Sequence, residues 1–151
     1  MDDPETATRC GVGIRGVAMT IDSFVWLFLF VVAVSVVGVV TGQTEITAAG
    51  VDTSLEGTPA AVGLVLWLGL AIGYHAFFES QSGKTLGKYL VDIRVVDDDG
   101  TPPSLRTAAV RNVLRLVDWL PAFYVVGIVA LAVSDRRARL GDRLAGTTVV
   151  R

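Results

Sequence analysis

Two long apolar runs constrain this chain more than any other feature. Residues 23–44 and 57–78 contain no Asp, Glu, Lys or Arg. The first has the core Phe24-Val25-Trp26-Leu27-Phe28-Leu29-Phe30-Val31-Val32 and runs on to Val40. A helix needs about 20 apolar residues to cross a hydrocarbon layer of about 30 Å. Backbone groups in lipid must be satisfied within the segment, so the runs read as helices rather than strands. Both exceed the roughly 18 residues that mark a membrane span. The plainer alternative is a pair of core helices in a soluble domain. Composition opposes it: 52% of residues are hydrophobic and 19% charged, with a mean hydropathy of +0.57, where soluble domains carry roughly 25% charged residues. The same figures exclude a disordered chain and a basic nucleic-acid-binding domain. The first run is too long for the roughly 7–15-residue apolar stretch of a cleaved signal, and acidic Asp2, Asp3 and Glu5 precede it. Spans are expected at about 17–40 and 60–78, within one domain of 151 residues.

A third apolar run, 119–134, carries Pro121 near its start. From Pro121 onward a helix would reach only about 21 Å at 1.5 Å per residue. Upstream, Ser104 is suited to N-cap a helix over 105–120. That helix is apolar on one side and carries Arg111, Arg115 and Asp118 on the other. The distribution of Lys and Arg then sets the topology. Arg9 and Arg15 precede the first run, and the loop 41–58 has none. Lys84, Lys88, Arg94, Arg106, Arg111 and Arg115 follow the second run, and Arg136, Arg137, Arg139, Arg143 and Arg151 close the chain. Because Lys and Arg collect on the cytoplasmic side, both termini are expected inside and the first loop outside. Three complete spans would put the arginine-rich tail outside. Residues 105–134 are therefore expected to form a helical hairpin turning near Leu120-Pro121, either re-entrant or as two short tilted spans. One ordinary span that breaks the charge rule is the alternative.

The connector 79–104 and the tail 135–151 are thus expected in the cytoplasm. Residues 90–96 read as a strand, 97–100 (Asp-Asp-Asp-Gly) as a turn, and Thr101-Pro102-Pro103 as a break. Residues 146–151 read as a second strand. A lone short strand is unstable, so the two should pair on one side of the membrane. The predicted fold is mainly α, with two transmembrane helices, a re-entrant or short helical hairpin and a small cytoplasmic β element.

Motif-like segments resolve into plain ones. Gly83-Lys84-Thr85 has Phe78 where a phosphate loop needs glycine, and it follows a helix rather than a strand. The stretch 83–88 reads instead as a tight connector whose lysines face anionic headgroups. Residues 97–100 lack the alternating ligands and distal glutamate of a calcium loop. Cys10 is the sole cysteine, which excludes an intrachain disulfide and a multi-cysteine metal site. His75 is either a satisfied interfacial residue or a proton relay. Gly38/Gly42 and Gly69/Gly73 permit close helix contact. Nothing resembles a nucleophile–base grouping, so no enzyme, metal or cofactor is expected.

The strongest polar signal is Arg15 with Asp22, seven residues apart on one helix face, together with the Arg111, Arg115 and Asp118 stripe. A charge at mid-membrane costs at least about 2.5–3.5 kcal/mol. Such groups should face protein or water and pair. They form either a structural ion network that pins the hairpin on the first helix, or an ion or proton pathway; snorkelling to headgroups is a third option.

With these residues in place, the chain resembles the RDD family of small integral membrane proteins, named for an arginine and two aspartates. The matching features are Arg15 and Asp22, the 83–88 element, Arg111, and the closing Arg136-Arg137-Ala138-Arg139-Leu140-Gly141-Asp142-Arg143-Leu144-Ala145-Gly146-Thr147-Thr148-Val149-Val150. They extend over about 13–150. The resemblance implies Arg15, Asp22 and Asp142 as the signature trio, with Asp118 a rival for the last place. It also implies a transport role, with cation/proton antiport for some members. The expected function is transport or cation/proton exchange through Asp22, with or without Asp118, and with Arg15 and Arg111 or Arg115 tuning the carboxylates electrostatically. The expected partners are the lipid bilayer, a small cation or proton, and further copies of the chain to enclose a path. A non-catalytic scaffold or accessory protein with structural charges is the alternative.

Overall fold

The computed structural model describes residues 10–118 and 146–150. Among the described residues the fold is mainly helical, with two helices of membrane-spanning length and two small antiparallel strand pairs. The chain divides into two compact units, residues 23–71 and the remainder. Helix α1 (Val12–Thr41) and helix α2 (Gly57–Ser82) contribute to both. At 1.5 Å per residue they extend about 45 Å and about 39 Å, more than the hydrocarbon thickness. They run past the expected spans at both ends, since helical geometry continues beyond the apolar stretch.

In the unit 23–71 the two long helices meet through aromatic side chains. The Trp67 indole N–H donates to the Trp26 carbonyl at 2.9 Å. The Trp67 ring meets Trp26 and Phe30 edge-on, with centroids 6.0 and 5.4 Å apart. Ala33 and Ala71 are fully buried, while Phe24, Phe28, Val31, Val39 and Val65 point outward. Large apolar groups outside and small ones inside suit a lipid surround, where helices associate by close packing. The loop between the helices is more ordered than the sequence reading anticipated. Strands β1 (Thr44–Thr47) and β2 (Gly50–Thr53) pair antiparallel, with Ile46 opposite Val51. The Thr44 and Thr53 hydroxyls lie 3.0 Å apart. Both threonines pack over Gly38, where any Cβ would collide with them.

The second unit holds helix α3 (Leu86–Leu90), strand β3 (Arg94–Asp97), helix α4 (Leu105–Asp118) and strand β4 (Thr147–Val150). Helix α2 stops at Gly83, whose N–H bonds the Glu79 carbonyl at 2.8 Å. Its φ of +70° is one that only glycine adopts freely. Its carbonyl then accepts the Val95 N–H at 2.8 Å, so close to β3 that a Cβ would strike the Val95 backbone. One glycine thus ends the helix and lets the sheet approach.

Strands β3 and β4 pair antiparallel, Arg94 opposite Val150 and Asp97 opposite Thr147, as the sequence predicts. The strand starts at Arg94 rather than Leu90, because Leu90 completes α3 and Asp92 turns the chain with a φ of +52°. The expected plain connector 83–88 is therefore partly helical. The Cys10 N–H bonds the Val149 carbonyl at 3.1 Å, and Cys10, Ala18, Ile93, Val95 and Val149 form the apolar core. Residues 97–100 close a turn through Gly100 N–H to the Asp97 carbonyl, 3.0 Å. The Asp99 carboxylate receives the Thr101 N–H and hydroxyl at 3.0 and 2.7 Å. Ser104 caps α4 as expected, its hydroxyl accepting the Thr107 N–H at 3.1 Å. The remainder of the predicted hairpin, residues 119–134, lies outside the described residues. The β3–β4 pairing returns residues 147–150 to the connector.

Candidate functional site

The helices of the second unit are turned the opposite way from those of a soluble protein. On α3, Gly87 and Lys88 face inward while Leu86, Tyr89 and Leu90 are exposed. On α4, Ala108, Arg111 and Asn112 are buried, and Leu105, Val110 and Val113 are exposed. The inward polar groups build two connected sites around carboxylates.

The first is Asp22. One carboxylate oxygen receives the Tyr74 hydroxyl at 3.0 Å and the Gly87 N–H at 2.8 Å. The other receives the Thr85 hydroxyl at 2.6 Å. The Leu86 N–H donates to the Tyr74 oxygen at 2.9 Å. The first amides of a helix have no partner within it, and here α1 and α2 supply them. Thr85 occupies the N-cap position but makes no cap bond of its own, because its hydroxyl goes to Asp22. Gly87 is required sterically: a Cβ there would meet the Ala18 carbonyl and the Asp22 carboxylate.

The second is Glu79, which has no exposed surface. One oxygen pairs with Lys88; the other pairs with Arg111 and accepts the Asn112 amide at 2.8 Å. Asn112 also donates to the Ala108 carbonyl at 2.8 Å, which fixes its amide. His75 lies one turn earlier on α2, with its Nδ1 3.7 Å from the same carboxylate and its ring edge-on to Tyr74. Both cations approach within ion-pair distance, so Glu79 ties α2 to α3 and α4 at one point. Buried charges are retained only when paired and hydrogen-bonded in this way.

At the edge of the network, one Asp97 oxygen and the buried Thr147 hydroxyl opposite it have no hydrogen-bond partner among the described residues. Burial, and then the Asp99 and Asp98 carboxylates, raise the Asp97 pKa; Arg111 opposes them. Asp99 moves the other way, lowered by its hydrogen bonds from Thr101.

The sequence-derived candidates are distributed unevenly over this geometry. Arg15 and Asp22 are both buried, but the donors to Asp22 are Tyr74, Thr85 and Gly87, and Arg15 is not among them. Arg111 is buried as expected, and it pairs with Glu79 of the second helix. Lys88, expected to face headgroups, is turned inward; Lys84 donates to the exposed Asp92 at 2.9 Å. The side chains of Arg115 and Asp118, and all of Asp142, lie outside the described residues. Glu79, Tyr74, Thr85 and Asn112 were not anticipated. A signal for Glu79 existed: it stands four residues after His75, on the same face of α2, at the edge of the apolar run. Among the described residues no group of three or more His, Cys, Asp or Glu is placed to hold a metal ion.

Chemically, each carboxylate oxygen is already occupied by donors from another element, an arrangement that fixes the helices. No curated protein and no solved structure matches the chain. The profile of the RDD family matches residues 9–146, nearly the whole chain, including the residues around Asp22 and Glu79. With two helices of spanning length beside that match, the chain belongs to the RDD family and is a membrane protein.

Proposed function

We propose that this protein is a non-catalytic scaffold or accessory protein of the cell membrane, with both termini cytoplasmic, whose buried charges are structural. One observation carries this: Glu79 is fully buried and held at once by Lys88, Arg111 and Asn112. A cation seeking Glu79 would have to displace two fixed cations. A cation seeking Asp22 would meet hydroxyl and amide donors. The bilayer is its principal partner, and neither a nucleic acid nor an enzymatic substrate is called for. Asp22→Asn tests it. A structural role predicts a lower unfolding temperature or poor expression; a folded variant of wild-type stability contradicts it.

Cation/proton exchange, with a homo-oligomer enclosing the path, is a second reading. It is favoured by the buried His75 beside Glu79, since ionisable groups in a membrane protein's interior mark proton routes by default. Reconstituted vesicles with a pH-sensitive dye test it directly. Proton flux that depends on sodium, lithium or potassium and is lost in His75→Gln supports exchange. Absence of flux with each of the three removes it.

A further inference from the structure

We propose that α3 is an interfacial helix, and that its outer face is a docking surface for the bilayer itself at the headgroup–acyl boundary. Leu86, Tyr89 and Leu90 fall at i, i+3 and i+4, one face of a helix, and are 50%, 68% and 61% exposed. The opposite face carries Lys88, buried on Glu79. In water this orientation is inverted: it hides a cation and displays three large apolar side chains. It becomes favourable when the surround is hydrocarbon, because apolar surface is then removed from water.

The surface continues from the end of a membrane-length helix. Phe77 and Phe78 at the close of α2 are also exposed, and Phe78 packs on Tyr74, whose hydroxyl accepts the first α3 amide. Aromatic residues at a helix end mark the level of the lipid headgroups. Lys84 lies over the Tyr89 ring, 5.9 Å from its centroid, as a long cationic chain does at that level. The partner is lipid rather than a protein groove, because α3 is joined through Tyr74 to the end of a membrane-length helix that itself exposes Phe77 and Phe78. Helices of this amphipathic kind lie about 5–10 Å into the boundary.

The test uses the full chain in phosphatidylcholine vesicles. Leu90→Cys in a Cys10→Ala background carries an environment-sensitive fluorophore, with Asp98→Cys on the exposed turn as the comparison. Brominated lipid should remove most of the emission at position 90 and leave position 98 bright, while aqueous iodide should do the reverse. Iodide quenching both positions alike would overturn the proposal. So would self-quenching at position 90 that is relieved by diluting with unlabelled protein, which would assign the face to a second copy. Tyr89→Cys repeats the measurement on the same face should the Leu90 variant fail to fold.

Discussion

Replacing Glu79 by Gln keeps the side-chain volume and removes the charge. Glu79 is completely buried, with Lys88 and Arg111 on its two oxygens and the Asn112 amide on one of them. The glutamine nitrogen would have to face at least one of these donors, and two buried cations would lose their counter-charge. Breaking a buried pair by removing one partner costs about 3–5 kcal/mol, because the remaining charge is uncompensated. For a chain of this size about 1 kcal/mol moves the unfolding temperature by roughly 2–4 °C, so Glu79→Gln should lower it by roughly 6–20 °C. Thermal unfolding in lipid nanodiscs reads that shift. Lys88→Met on the wild-type background should also destabilise, and on the Glu79→Gln background it should cost less or even help. Interaction energies for residues in one network are about 0.5–3 kcal/mol. Wild-type stability of Glu79→Gln, or strict additivity with Lys88→Met, would refute the idea of a single clamp.

The other predictions concern separate features. Gly87→Ala places a methyl against the Ala18 carbonyl and Asp22, and should cost about 1–3 kcal/mol as an overpacked site, seen in the same unfolding assay. Asp97 has a raised pKa in the folded state, so its ionisation opposes folding: stability is greatest below the ordinary value of 3.8 and falls as pH rises through the higher folded value. Asp97→Asn should therefore stabilise the protein at neutral pH and flatten the pH dependence above about pH 4, and a melting series from pH 4 to 8 checks this. Trp67→Phe removes the bond to the Trp26 carbonyl and should lower stability by about 1 kcal/mol, measured by denaturant unfolding.

Features set by local pattern were legible in the sequence. The two spans follow from uninterrupted apolar runs, and Ser104 from the fit of a short hydroxyl residue to a helix start after two prolines. The β3–β4 pairing followed from the instability of a lone strand. Helix α3 was not legible, because five residues carry too little periodicity and its first amides are satisfied by Asp22 and Tyr74, distant in sequence. Likewise, the sevenfold spacing of Arg15 and Asp22 placed both on one face without revealing the partners of Asp22, which come from Tyr74, Thr85 and Gly87. Glu79 read as the boundary of an apolar run because composition marks where charge begins, not which way it points. The β1–β2 hairpin escaped notice since its strands have only four residues each and expose most of their surface.

The arrangement of the second unit depends most heavily on the end of the chain returning to the connector, where β4 pairs with β3. Oxidative cross-linking of Arg94→Cys with Val150→Cys, in a Cys10→Ala background and in intact membranes, tests this directly. The two positions are register partners, and paired strand residues have Cα atoms about 4.5–5.5 Å apart, within disulfide reach. A rapid, near-complete intramolecular disulfide is the predicted result. Two thiols that both react with a labelling reagent yet never join each other would contradict it.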